Sequence, residues 1–135
     1  MIHEAELVIR AVALADLGTA GMDEPDFFVH EGDALFREDN IDVSEALQHP
    51  ESLSDAQKAF FQKRMLEWTE GQITFAKGRE AQLDEELGGL PEDMERAIRA
   101  LFGHFDANIQ RAQSKVDRRK LMTFEELARD FEYRI

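Results

Sequence analysis

Residues 54–87 are the one stretch of this 135-residue chain that is long, free of proline and apolar along a single broad face. At 100° per residue, Phe60, Phe61, Met65, Trp68, Phe75, Ala76, Leu83 and Leu87 share about half of the helical circumference, whereas Lys63, Glu67, Glu70, Thr74 and Lys77 fall largely outside it. An arc that wide predicts contact with two or more neighbouring helices, because a two-stranded coiled coil needs only a narrow seam. Ser54 followed by Gln57 has the spacing of a capping box, and Gly88, Gly89 and Pro91 mark the far end. At about 1.5 Å per residue the segment is roughly 50 Å long, the spine of a small domain. Gly71 and Gly78 are its weak points, each costing about 1 kcal/mol relative to Ala. They predict a slight bend, a groove that admits a second backbone, or a break with 72–76 as a short extended piece.

The rest of the chain reads as helices around that spine. Residues 2–17 are apolar on most sides past Leu7 and predict a helix near the centre of a bundle. Pro25, preceded by Asp23 and Glu24, suits the first turn of a helix running to about Glu38, with Phe27, Phe28, Leu35 and Phe36 as its core contacts and Gly32 as a point of weakness. Residues 39–53 are the most loop-like part, with a short helix expected over 43–48. From about 91 to 120, Met94, Ala97, Ile98, Leu101, Phe102, Phe105, Ile109, Ala112 and Val116 recur at three and four, predicting one helix antiparallel to 54–87. Thr123 with Glu126 forms a second capping-box spacing before a last helix held by Phe124, Leu127 and Phe131. The fold expected is all-α: a single domain over 1–135, a compact bundle of four to five helices.

The formal charge of −13 is unevenly spread. Residues 1–57 hold fourteen acids against Arg10 and Arg37, so that nearly all of the excess lies there, while the remainder is close to balance. Such a surface repels nucleic acid and anionic membrane and speeds encounter with a basic partner. The bases Arg111, Lys115, Arg118, Arg119 and Lys120 suit a helix C-terminus and are a natural counterweight to the acidic half.

Zero cysteines exclude disulfide and thiolate chemistry and fit a cytoplasmic setting. No run reaches the roughly 18 apolar residues of a membrane span. Glu4 and Glu6 stand where a secretory signal carries positive charge, so the opening residues read as mature protein. The Glu-x-x-His pairs of a carboxylate-bridged di-iron bundle are missing; Asp26 with His30 and Glu45 with His49 are only loose pairs, and no metal or cofactor is expected. Phosphate loop, dinucleotide fingerprint and EF-hand loop are absent, and two of the eight hydroxyl residues are better explained as caps. The chain is therefore expected not to be an enzyme.

The leading functional expectation is a non-catalytic protein–protein interaction module that docks on a basic protein through Asp23, Glu24, Asp26, Glu31, Asp33, Glu38, Asp39 and Asp42. Its inhibitory form is a nucleic-acid mimic, with carboxylates where a partner's groove receives phosphates. The alternative is a self-assembling subunit, a homodimer or larger, held by charge pairing between copies; the third is a helical metal-binding enzyme.

Overall fold

The computed structural model describes Glu6, Ile9 and residues 18–135. Of the helix expected over 2–17, Glu6 and Ile9 are helical and the remainder lies outside the described residues. In chain order the described elements are α1 (Gly18–Gly21), α2 (Pro25–Asp39), α3 (Ile41–Ala46), a 3-10 turn (Pro50–Ser52), α4 (Asp55–Leu87), α5 (Glu92–Leu101), α6 (Phe105–Arg119) and α7 (Phe124–Asp130). No strand occurs among the described residues, and the helices pack around α4 as an all-α bundle.

The spine starts where its capping box places it. Ser54 Oγ accepts from the Gln57 N–H at 3.1 Å, while Gln57 Oε1 accepts from the Ser54 N–H at 2.8 Å. From there α4 runs unbroken for 33 residues, with no extended piece at 72–76. Met65, Ala76, Leu83 and Leu87 are buried along it, and that packing outweighs the helix cost of Gly71 and Gly78. Past Gly88, Gly89 takes a φ of +79° and turns the chain.

Cross-helix partners run in opposite order on the two arms: Asp84 meets Arg99, Thr69 meets Arg119, Gln62 meets the Met122 carbonyl and Lys58 meets Glu125. The long helix is thus antiparallel to the chain that follows it. That second arm is interrupted at 102–104, where a single helix over 91–120 is expected. Gly103 weakens the helix there, and the His104 N–H donates to the Gly21 carbonyl at 2.9 Å. Phe102 and Phe105 then stack at 6.2 Å and bury together. In α5 only Ile98 packs on the core, leaving Met94 and Leu101 exposed, since this short helix merely covers the end of the hairpin.

Two apolar clusters result. One joins Ala20, Phe28, Ala76, Leu83, Leu87, Phe102, Phe105 and Ala112. The other joins Phe36, Val43, Leu47, Phe61, Met65, Phe124, Leu127 and Phe131. Residues 39–53 are more ordered than their composition suggests, because Val43 and Leu47 reach the second cluster. The last helix is capped as expected, Thr123 Oγ1 accepting from the Glu126 N–H at 3.2 Å.

The glycines divide by what surrounds them. A Cβ on Gly21 would lie 2.5 Å and 2.7 Å from ring atoms of Phe105, so the α1 backbone rests directly on an aromatic pair. At Gly32 a Cβ would meet the Gln72 side chain at 3.0 Å, and the Gly32 carbonyl accepts from Trp68 Nε1 at 2.9 Å. Gly32 is the point where α2 crosses α4, which explains a glycine inside a continuous helix. Around Gly78 there is open space. Gly78→Ala is expected to raise the unfolding free energy by about 1 kcal/mol, and Gly21→Ala to lower it by about 1–3 kcal/mol through overpacking. Urea denaturation of the two variants checks both signs.

Candidate docking surface

Of the eight early carboxylates expected to meet a partner, five are without an ion pair among the described residues and three are paired within the chain. The five are Asp23, Glu24, Glu31, Glu38 and Asp39. Glu31 and Glu38, seven residues apart, share one edge of α2 at an interval of about 10 Å, and Glu24 precedes the helix as its N-cap residue in extended conformation. Phe27 (52% exposed) and Leu35 (46% exposed) stand between them, although the helical pattern placed both in the core. They are exposed because α4 covers only the neighbouring face, through Phe28, Gly32 and Phe36.

The other three are committed within the chain. Asp26 meets Arg111 at 3.0 Å. Asp42 receives two hydrogen bonds from Arg64, at 2.6 and 3.0 Å, and these hold its carboxyl below the ordinary value; the same guanidinium also reaches Asn40 Oδ1. Asp33 is the clearest correction. Only 8% exposed, it lies under the surface and accepts from both terminal nitrogens of Arg119, at 3.0 and 2.7 Å. Charge alone could not separate it from its neighbours, but its place on the α2 wheel, opposite the Glu31–Glu38 edge, was a signal.

Arg119 is the centre of a polar layer between the two apolar clusters. It is 1% exposed. Its Nε donates to Asp130 at 2.8 Å, its Nη1 also donates to Thr69 Oγ1 at 2.9 Å, and its guanidinium lies 4.0 Å from the centre of the Phe131 ring. Thr69 passes the network on, donating to the Met65 carbonyl at 2.8 Å. One side chain thus ties α2, α4, α6 and the end of α7 at a fixed register. Lys115 Nζ stands 3.4 Å from Asp130 and Arg118 also 3.4 Å from it.

Burial pushes the Asp130 carboxyl up, but the hydrogen bond from Arg119 and the charges of Arg119, Lys115 and Arg118 outweigh it, and the net direction is down from 3.8. A depressed folded-state value stabilises the protein above the unfolded value and ceases to do so as pH falls through the folded one. Unfolding free energy is therefore expected to decline from roughly pH 4 downward. Asp130→Asn should flatten that acid limb, as followed by thermal melts between pH 2 and pH 6 taken as roughly the relevant window.

Beside the Glu31–Glu38 edge, α2 and α4 leave an apolar groove of about 610 Å³. Phe36 and Trp68, in edge contact at 5.6 Å, lie along it, with Leu35 on one lip and Gly71 and Phe75 on the other. Phe60 and Phe75, counted on the apolar arc of the spine, are 59% and 40% exposed because no described helix covers that side of α4. Arg64 and Arg79 rest against these rings instead.

The basic segment is spent inside the chain. Arg111 pairs with Asp26, Arg119 with Asp33 and Asp130, Lys115 and Arg118 with Asp130, and Lys120 with Glu70 at 3.6 Å. His30 lies 3.8 Å from Glu132 and His49 lies 3.6 Å from Glu51, so neither loose pair read from the sequence, with Asp26 or Glu45, is the contact made. Among the described residues, no group of three or more His, Cys, Asp or Glu side chains is arranged to hold a metal ion, and no helix is long and apolar enough to cross a membrane. The fold and this surface define a helical bundle with an acidic, partly apolar face. Comparison with protein-family models, curated proteins and solved structures finds no match.

Proposed function

We propose that this chain is a non-catalytic protein-interaction module that docks on a basic region of another protein through the exposed edge of α2 and its flanks. The observation that carries this is the contrast within the acidic half: among the described residues, Asp26, Asp33 and Asp42 are matched by arginines of the same chain, whereas Asp23, Glu24, Glu31, Glu38 and Asp39 form no ion pair. Unmatched carboxylates on a surface raise the potential that steers a cationic partner, and their effect is screened by salt. In its inhibitory form, the docked face occupies a partner groove that otherwise receives nucleic acid. Assembly of copies by charge pairing has less behind it, because the late cations already face carboxylates of their own chain.

The test is affinity purification from the native host, followed by calorimetry with the recovered partner. Replacing Asp23, Glu24, Glu31, Glu38 and Asp39 by Asn or Gln is expected to weaken binding at least about tenfold and to reduce its salt dependence. An unchanged affinity sinks the proposal. Competition by duplex DNA for the partner separates the inhibitory form from simple docking.

A further inference from the structure

We infer that the groove between α2 and α4 receives an amphipathic helix with basic flanks, supplied by the partner. This rests on the docking role proposed above and names the chemistry of the element that docks.

The groove is built from two helices that run in opposite directions. Gly32 meets Trp68 and, further along α2, Asn40 meets Arg64, so positions on the two sides pair in reverse order. The lining residues on the α2 side run from Phe28 to Asn40, a rise of about 18 Å, or roughly three turns of a helix laid alongside. An elongated, apolar trough between antiparallel helices matches the helix-in-groove mode, in which side chains at i, i+3, i+4 and i+7 fill the trough.

Gly71 supplies the second observation. It sits within a 33-residue helix, on the groove lip, and apart from its own helical backbone and chain neighbours no atom of the described residues lies within 4 Å of where its Cβ would be. Gly32, on the opposite wall, is explained by the crossing with Gln72; among the described residues no contact explains Gly71, and of the two open glycines of α4, Gly71 and Gly78, it is the one that lines the groove. A wall without a side chain lets a second backbone approach closely.

Charge selects the kind of helix. Glu31 and Glu67 line the groove, Glu67 at 3.8 Å from the exposed Lys63, and Glu38 continues the α2 edge beyond it. The one cation among the lining residues, Arg64, is held by Asp42. Apolar floor and acidic rims together fit Leu-type anchors flanked by Lys or Arg.

Fluorescence anisotropy with three 18-residue peptides tests this on the full chain: an amphipathic Leu/Lys helix, a scrambled sequence of the same composition, and a Leu/Glu helix. The expected result is saturable binding of the Leu/Lys helix, weakened at least tenfold by scrambling and at least tenfold by Gly71→Leu. Circular dichroism and melting of Gly71→Leu verify its fold, and Phe75→Ala is an independent groove variant expected to weaken binding in the same direction. If the scrambled peptide binds as well, and Glu24, Glu31, Glu38 and Glu67 to Gln abolishes both, the groove is wrong while acidic docking stands. Equal binding of the Leu/Glu helix overturns the charge selection and the docking role with it, as does absence of binding by both Lys peptides. A sedimentation dimer that Gly71→Leu converts to monomer assigns the groove to a second copy and overturns the inference.

Discussion

Replacing Arg119 by Met is expected to destabilise the protein by about 3–5 kcal/mol, the cost of leaving one member of a buried ion pair without its partner. The arginine is 1% exposed and donates to Asp33, Asp130 and Thr69. After the substitution Asp33 stays enclosed without a hydrogen-bonded cation among the described residues, although the field of the half-buried Lys115 still reaches it. Asp130 retains Lys115 and Arg118, so most of the loss is assigned to Asp33. The double variant Arg119→Met with Asp33→Leu removes both charges from the layer, and apolar replacement of a whole buried pair is often neutral or stabilising. It is therefore expected to be more stable than Arg119→Met alone. Urea unfolding of the wild type, both single variants and the double gives the coupling; additive losses, or a single loss under about 1 kcal/mol, contradict a central role for this layer.

Phe131→Ala is expected to cost about 3–5 kcal/mol although it lies four residues from the last residue of the chain. Its ring is fully buried, 5.0 Å from the Phe36 ring and beneath the Arg119 guanidinium. Truncation removes the apolar bulk of the second cluster and one wall around Arg119 at once. Phe131→Leu keeps most of that volume and should recover more than half of the loss; the residue reflects aromatic and cation–π contact, about 0.5–2 kcal/mol together. The backbone here is anchored separately, since the Phe131 carbonyl accepts from Arg37 at 2.8 Å. Thermal melts decide it: an alanine variant within about 1 kcal/mol of wild type shows that the C-terminal turn is not part of the core.

Much of the helical frame was legible because local rules act within a few residues. Ser54 with Gln57 and Thr123 with Glu126 close their capping boxes as spaced, and Pro25 opens α2. Where the pattern misled, a distant contact decided. Phe27, Leu35, Phe60 and Phe75 have the spacing of core residues and stand exposed, because no described helix packs over that flank of α2 and α4. Gly103 was a visible weak point, but the interruption of the second arm also depends on the Gly21 carbonyl, more than eighty positions earlier in the chain.

By itself, the sequence determined the helical class, the extent of the spine, both capped starts and the concentration of negative charge ahead of residue 58, all of which follow from propensity, periodicity and counting. Tertiary structure alone decided which of those charges face solvent. Asp33 and Glu31 are two positions apart and chemically alike, yet one is enclosed by Arg119 and the other borders an open groove. The physical reason is that a helix turns by 100° per residue, and only the packing of α4 and α6 against α2 chooses which side becomes interior.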